Sequence, residues 1–122
     1  MKIAEADAKT FTMEEASLLL PRIRSLVGVL VEANAATLAE ARGNAPPPGN
    51  AAKSSSELLR QAVDAQSSLA ALGVLVKDDQ LGMVDFLSVR GGSTVELCWM
   101  LGENEIGYWH EVGAGFRRRR PL

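Results

Sequence analysis

"MVDFLSVRGGSTVELCWMLGENEIGYWHEV", Met83 to Val112, contains both tryptophans, the one tyrosine, the one cysteine and the one histidine of the chain. Three segments rich in β-branched and aromatic residues, "MVDFLSVR", "TVELCWML" and "IGYWHEV", are separated by "GG" and "GENE". Gly91 and Gly92 can both take the positive φ that a two-residue hairpin turn requires, and "GENE" offers a second tight connection. A three-stranded antiparallel meander follows. Pairing Arg90 with Ser93 and Gly102 with Glu105 sets the register, and the register sets the faces. One face then carries Val84, Phe86, Val95, Leu97, Trp99, Leu101, Ile106, Tyr108, His110 and Val112, and reads as core. The other carries Met83, Asp85, Leu87, Val89, Thr94, Glu96, Cys98, Met100, Trp109 and Glu111, too apolar for a wet surface and too acidic for a second core.

Upstream, the pattern changes from a period of two to helical spacing. Thr12 and Glu15 stand three apart in a capping-box arrangement, which predicts a helix over 12–42. Leu19, Ile23, Leu26 or Val27, Leu30 and Leu38 recur along one stripe. Pro21 removes an N–H and crowds the carbonyl of Ser17, so a kink or local break is expected there. Gly28 is expected to admit a close neighbour. "GNAPPPGNAAK" is a stiff loop over 43–53. Ser54 and Glu57 repeat the capping spacing at the start of a second helix over 54–72, which Gly73 terminates. Short loops join antiparallel neighbours, so the two helices form a hairpin that covers the apolar face of the sheet. The expected architecture is α+β: an antiparallel helical hairpin on one face of a three-stranded antiparallel sheet over 74–112, four-stranded if "VLVK" pairs, with a basic tail over 113–122.

The 122 residues suffice for one domain with a core of its own. A single cysteine cannot close an internal disulfide, and "MKIAEADAK" has no apolar signal-peptide core, so a reducing, cytoplasmic setting is expected. No apolar run approaches the ~20 residues of a membrane span. The net charge of −2 hides an asymmetry, because Arg117 to Arg120 contribute +4 and leave −6 for the rest. Such a tail can bind its own acidic surface, another subunit or an external polyanion. Basic runs of four arginines match many things by chance, and beside that acidic body no nucleic-acid partner is expected. The first helix outruns the second and still carries Leu30, Val31 and Leu38, which points to self-association, a homodimer through the long helix.

The residue counts exclude the two-histidine metalloprotease helix and the zinc-finger spacings. Phosphate-loop, dinucleotide, nucleophile-elbow and calcium-loop patterns are absent too. Glu103, His110 and Glu111 make a poor metal set: His110 lies ~16 Å along the strand from the turn, and Glu111 points to the opposite face. No metal and no cofactor are therefore expected, and His110 reads as a core histidine. In the assumed register Glu96 opposes Glu111, an arrangement that needs a tail arginine, a shared proton or a cation. The candidate ligand-binding set is Asp85, Glu96, Trp109 and Glu111 on the outer face, with Arg119 from the tail. Cys98 reads as an inert filler.

"FTMEEASLLLP", "LGVLVKD", "GMVDF", "LCWMLGENEIGYWHE" and the closing "GF…RRPL" together resemble an uncharacterised prokaryotic family, a domain of unknown function, across nearly the whole chain outside the proline loop. The resemblance implies no activity, substrate or cofactor. Two functions are consistent with the residues: a non-catalytic interaction or regulatory module acting as a homo-oligomer, or a small enzyme or ligand-binding protein using the acidic outer face.

Overall fold

The computed structural model describes residues 9–43 and 54–122. Most of the proline loop expected over 43–53 therefore lies outside the described residues. Helix α1 spans Met13–Ala41 and helix α2 spans Ser55–Ala71. Five strands follow: β1 Leu75–Asp78, β2 Met83–Arg90, β3 Ser93–Met100, β4 Tyr108–Glu111 and β5 Arg120–Pro121. They form one antiparallel sheet in the order β1-β2-β3-β4-β5, two strands more than the meander alone. "LVKD" supplies one edge as the fourth strand, and the basic tail supplies the other, which the sequence pattern does not reveal because a two-residue strand has no period to detect.

Both helix starts are set locally. The Thr12 backbone N–H donates to Glu15 Oε1 at 2.9 Å, and the Glu15 N–H donates to Thr12 Oγ1 at 3.0 Å, closing the capping box. At α2 the Glu57 N–H donates to Ser54 Oγ at 3.2 Å. The end of α2 is a Schellman motif: Val74 N–H donates to the Leu69 carbonyl, Gly73 N–H donates to that of Ala70, and Gly73 has φ +87°. A Cβ at Gly73 would meet Lys9 and Phe11, so the end of α2 returns to the start of α1 and the helices run antiparallel. Helix α1 continues through Pro21, so of the expected kink or local break the break does not occur. Ser17 and Pro21 are both exposed, so water can take the carbonyl that the proline leaves unpaired.

Ala16, Leu20, Ile23, Val27, Leu30 and Ala33 recur at three- and four-residue steps along α1, and all are buried. With Leu69 of α2, all of these but Ala33 close over Val84, Phe86, Leu97 and Trp99 of the sheet. Phe11 anchors the entry to α1. Its ring meets Phe86 edge-on at 5.4 Å, its N–H donates to the Leu87 carbonyl, and its carbonyl accepts from Ser88 Oγ. Gly28 has open space where a side chain would stand. The close approach occurs instead at Gly82, where φ is +81° and a Cβ would lie 2.8 Å from Leu101 and 2.9 Å from Val27.

Register is where the sheet departs from expectation. Arg90 pairs with Ser93 across the two glycines, as the turn chemistry requires. On the other side of β3, however, Cys98 faces Tyr108, Leu97 faces Trp109, Glu96 faces His110 and Val95 faces Glu111. The assumed pairing of Gly102 with Glu105 is off by one residue. The connection is a loop centred on Glu103, whose carboxylate accepts the Met100 N–H at 2.8 Å and whose carbonyl accepts the Trp99 indole N–H at 3.0 Å. Ile106 is then buried in the loop rather than in a strand. A one-residue slip turns over every side chain of the returning strand. Tyr108 and His110 therefore move to the outer face, Trp109 and Glu111 move to the helix side, and Val112 ends exposed.

Candidate functional site

The outer face of the sheet holds a cluster of ionisable side chains with almost no contact with water. Asp85 from β2, Cys98 and Glu96 from β3, and His110 from β4 are each between 0% and 2% exposed. Alternation along β2 and β3 places Asp85 opposite Cys98, and the corrected register brings His110 opposite Glu96. One potential ligating atom from each of Asp85, Cys98 and His110 lies within 4.8 Å of the other two.

His110 organises the cluster. Its Nδ1 lies 2.8 Å from the backbone carbonyl of Glu111, and since a carbonyl can only accept, Nδ1 carries the proton. Nε2 lies 3.0 Å from Asp85 Oδ2. The other oxygen, Asp85 Oδ1, is buried and has no hydrogen-bond partner among the described residues. Burial pushes the Asp85 carboxyl above its ordinary range, and the neighbouring His110 pulls it back only in part. The Cys98 thiol is pushed up to about 12, first by burial and then by the Asp85 carboxylate. It is therefore a thiol and not a thiolate at neutral pH.

Cations surround the cluster. Lys77 Nζ lies 3.4 Å from Glu96 Oε2, and the Gly113 N–H donates to Glu96 Oε1 at 3.1 Å. Arg119 arrives from the tail after a 3₁₀ turn over Phe116–Arg118. Its Nη1 lies 2.9 Å from Glu103 Oε2 and 4.0 Å from Cys98 Sγ, and its guanidinium lies over the Tyr108 and Phe116 rings at 4.0 and 4.3 Å. The tail docks on the acidic body, but the carboxylate it finds is that of Glu103. Glu96 never opposes Glu111, so the expected repulsion between them does not arise; Lys77, the Gly113 N–H and His110 surround Glu96 instead.

Of the five candidate residues, the structure brings Asp85, Glu96 and Arg119 to the outer face and separates Trp109 and Glu111 from them. Trp109 packs partly against the core, with Arg90 and Arg120 over its ring at 4.9 and 5.3 Å. Glu111 has an exposed side chain and contributes only its carbonyl to the cluster. Cys98, His110 and Lys77 join the site, whereas the sequence alone reads the first as filler and the second as core. The β2–β3 hairpin alone places Cys98 beside Asp85, whereas the face that His110 takes depends on the register of β4 and has no local signal. A cleft of about 770 Å³ lies elsewhere, near the start of α1, lined by Thr12, Phe11, Ser88, Arg90, Leu97 and Ile106 among others. None of the five candidates borders it.

Residues 9–122 match a family described as an uncharacterised conserved protein, DUF2203, and the chain belongs to that family. No curated protein and no solved structure matches it. Among the described residues no helix is long and apolar enough to cross a membrane.

Proposed function

We propose that this protein is a non-catalytic regulatory module that binds a small ligand on the outer face of its sheet, beneath the C-terminal tail. The observation that carries the reading is the burial of Asp85 with one oxygen unpartnered, beside Cys98, Glu96 and His110. Burying charge costs several kcal/mol unless it is fully compensated. The helix-covered face already supplies the apolar core, so this second cluster is not needed to build the fold. Perturbed ionisable groups gathered in one place favour a functional site. The protonated Cys98 and the absence of exposed groups in the cluster weigh against covalent catalysis.

Thermal-shift measurements test this with metal ions, inorganic anions, nucleotides and carboxylic acids, comparing wild type with Asp85→Asn. Stabilisation of wild type that is lost in the variant supports the reading. Ligands that stabilise both equally, or that perturb only NMR signals around the Arg90 and Ile106 cleft, refute it.

Self-association through the helices is a second reading with its own support. Helix α1 has 29 residues and α2 has 17, about 43 and 26 Å at 1.5 Å per residue. Leu30 is buried in the chain's own core and Val31 packs against it, so the overhang presents less apolar surface than its sequence suggests. Leu38, Leu59 and Val63 remain exposed at 42%, 65% and 52% and favour a partner copy. Mass measurement in solution decides it, and a strictly monomeric species at micromolar concentration refutes it. The lone cysteine supports a cytoplasmic setting for either reading.

A further inference from the structure

We infer that Asp85, Cys98 and His110 form the binding site for one divalent transition-metal ion of the zinc class. The inference rests on the outer-face reading above and names its ligand. Three adjacent strands each contribute one side chain to the same face, and the three potential ligating atoms already lie within 4.8 Å of one another. A tetrahedral zinc site needs separations of about 3.3–3.6 Å between ligand atoms, given metal–ligand bonds of ~2.0–2.3 Å. Small rotamer adjustments cover that contraction. An ion would also give the buried, unpartnered Asp85 Oδ1 the partner it lacks among the described residues.

The histidine is already arranged as a metal ligand. Metal-bound imidazoles donate their remote N–H to a carbonyl or carboxylate, which fixes the ring and directs the other lone pair inward. His110 Nδ1–H donates to the Glu111 carbonyl, and Glu96 Oε1 stands 3.7 Å from the same nitrogen. Nε2 thus points its lone pair at Asp85 Oδ2, 3.0 Å away, a contact that requires a proton between two acceptors. An ion takes the place of that proton and of the thiol proton of Cys98. The charges of one carboxylate, one thiolate and one divalent cation cancel, so binding adds no net charge to a buried site.

The donor set selects the metal class. Sulfur, imidazole nitrogen and a single carboxylate suit zinc, cobalt or ferrous iron, whereas magnesium and calcium favour all-oxygen sites. Three protein ligands leave a fourth position for a small exogenous ligand. Lys77 and Arg119 do not compete with the ion, because Glu96 and Glu103 hold them.

The test uses the full chain, stripped with chelator and titrated with Co²⁺ as the spectroscopic probe and with Zn²⁺ by calorimetry. One ion per chain, visible d–d bands and a near-ultraviolet thiolate charge-transfer band support the site. Cys98→Ser should abolish the charge-transfer band while keeping the fold, as circular dichroism will show. His110→Gln should weaken Zn²⁺ binding by at least the ~10–100-fold that loss of an outer-shell partner costs. Folded wild type with no cobalt spectrum and no zinc heat overturns the inference, as does zinc binding that survives both substitutions. If metal fails but another ligand still depends on Asp85, the metal assignment falls and the outer-face reading stands.

Discussion

Removing either member of the Asp85–His110 pair should be much more damaging than removing both. In His110→Leu, Asp85 keeps its burial and loses its imidazole partner at Oδ2, leaving the carboxyl with only the weak Cys98 thiol beside it. Breaking a buried pair in this way costs about 3–5 kcal/mol. Asp85→Val leaves Nε2 of a buried imidazole unsatisfied, at about 1–3 kcal/mol. In the double variant two apolar side chains of similar combined size meet at the same place, and such replacements are neutral or stabilising by about 1–4 kcal/mol. The coupling between the two sites is therefore about 4 kcal/mol or more, above the roughly 0.5–3 kcal/mol of most measured cycles. For 122 residues the unfolding entropy is about 0.26 kcal/mol per degree, so His110→Leu alone should lower Tm by about 12–20 °C. Urea denaturation in the presence of chelator measures all four corners of the cycle, with an unchanged m-value as the check on two-state behaviour. Additive single-site losses, or single variants within about 0.5 kcal/mol of wild type, would show that the pair is neither buried nor coupled as described.

Other outcomes follow from the same structure. Trp99→Ala should cost about 3–5 kcal/mol as a truncation of a fully buried core side chain, while half-buried Trp109→Ala should cost less and leave ligand binding on the outer face unchanged; loss of binding in Trp109→Ala would place that ring in the site after all. Gly82→Ala combines a φ of +81° with a Cβ 2.8 Å from Leu101, so chemical denaturation should show a loss of about 2–4 kcal/mol. Thr12→Ala should remove about 0.5–2 kcal/mol of helix capping, read from the same denaturation curves. The Thr12 N–H holds the Glu15 carboxyl below its ordinary value of 4.5, so its stabilisation is present above that pH and fades as pH falls through the lowered pKa. Glu15→Gln should accordingly flatten the acid limb of the stability profile, and an unchanged limb would refute the cap's electrostatic role.

What the sequence alone determined are the features whose causes lie within a few residues of their effects. The capping box at Thr12–Glu15, the N-cap at Ser54, the helix stop at Gly73 and the two-glycine hairpin at Gly91–Gly92 are closed by short-range hydrogen bonds or by the backbone freedom of glycine, and all four stand in the structure. The inward alternation of Val84, Phe86, Val95, Leu97 and Trp99 was legible for the same reason, since a strand turns its side chains out with a fixed period of two. The partners of β4 were not legible. They depend on a loop in which Glu103 binds Met100, takes the indole N–H of Trp99 and holds Arg119 from the far end of the chain. Tail pairing adds Leu122 N–H to the Gly107 carbonyl. Contacts so distant in sequence leave no periodic trace, yet they shift the register by one residue, and that shift exchanges His110 for Trp109. Tertiary structure alone therefore decided that the single histidine meets Asp85 and Cys98 instead of the helical core.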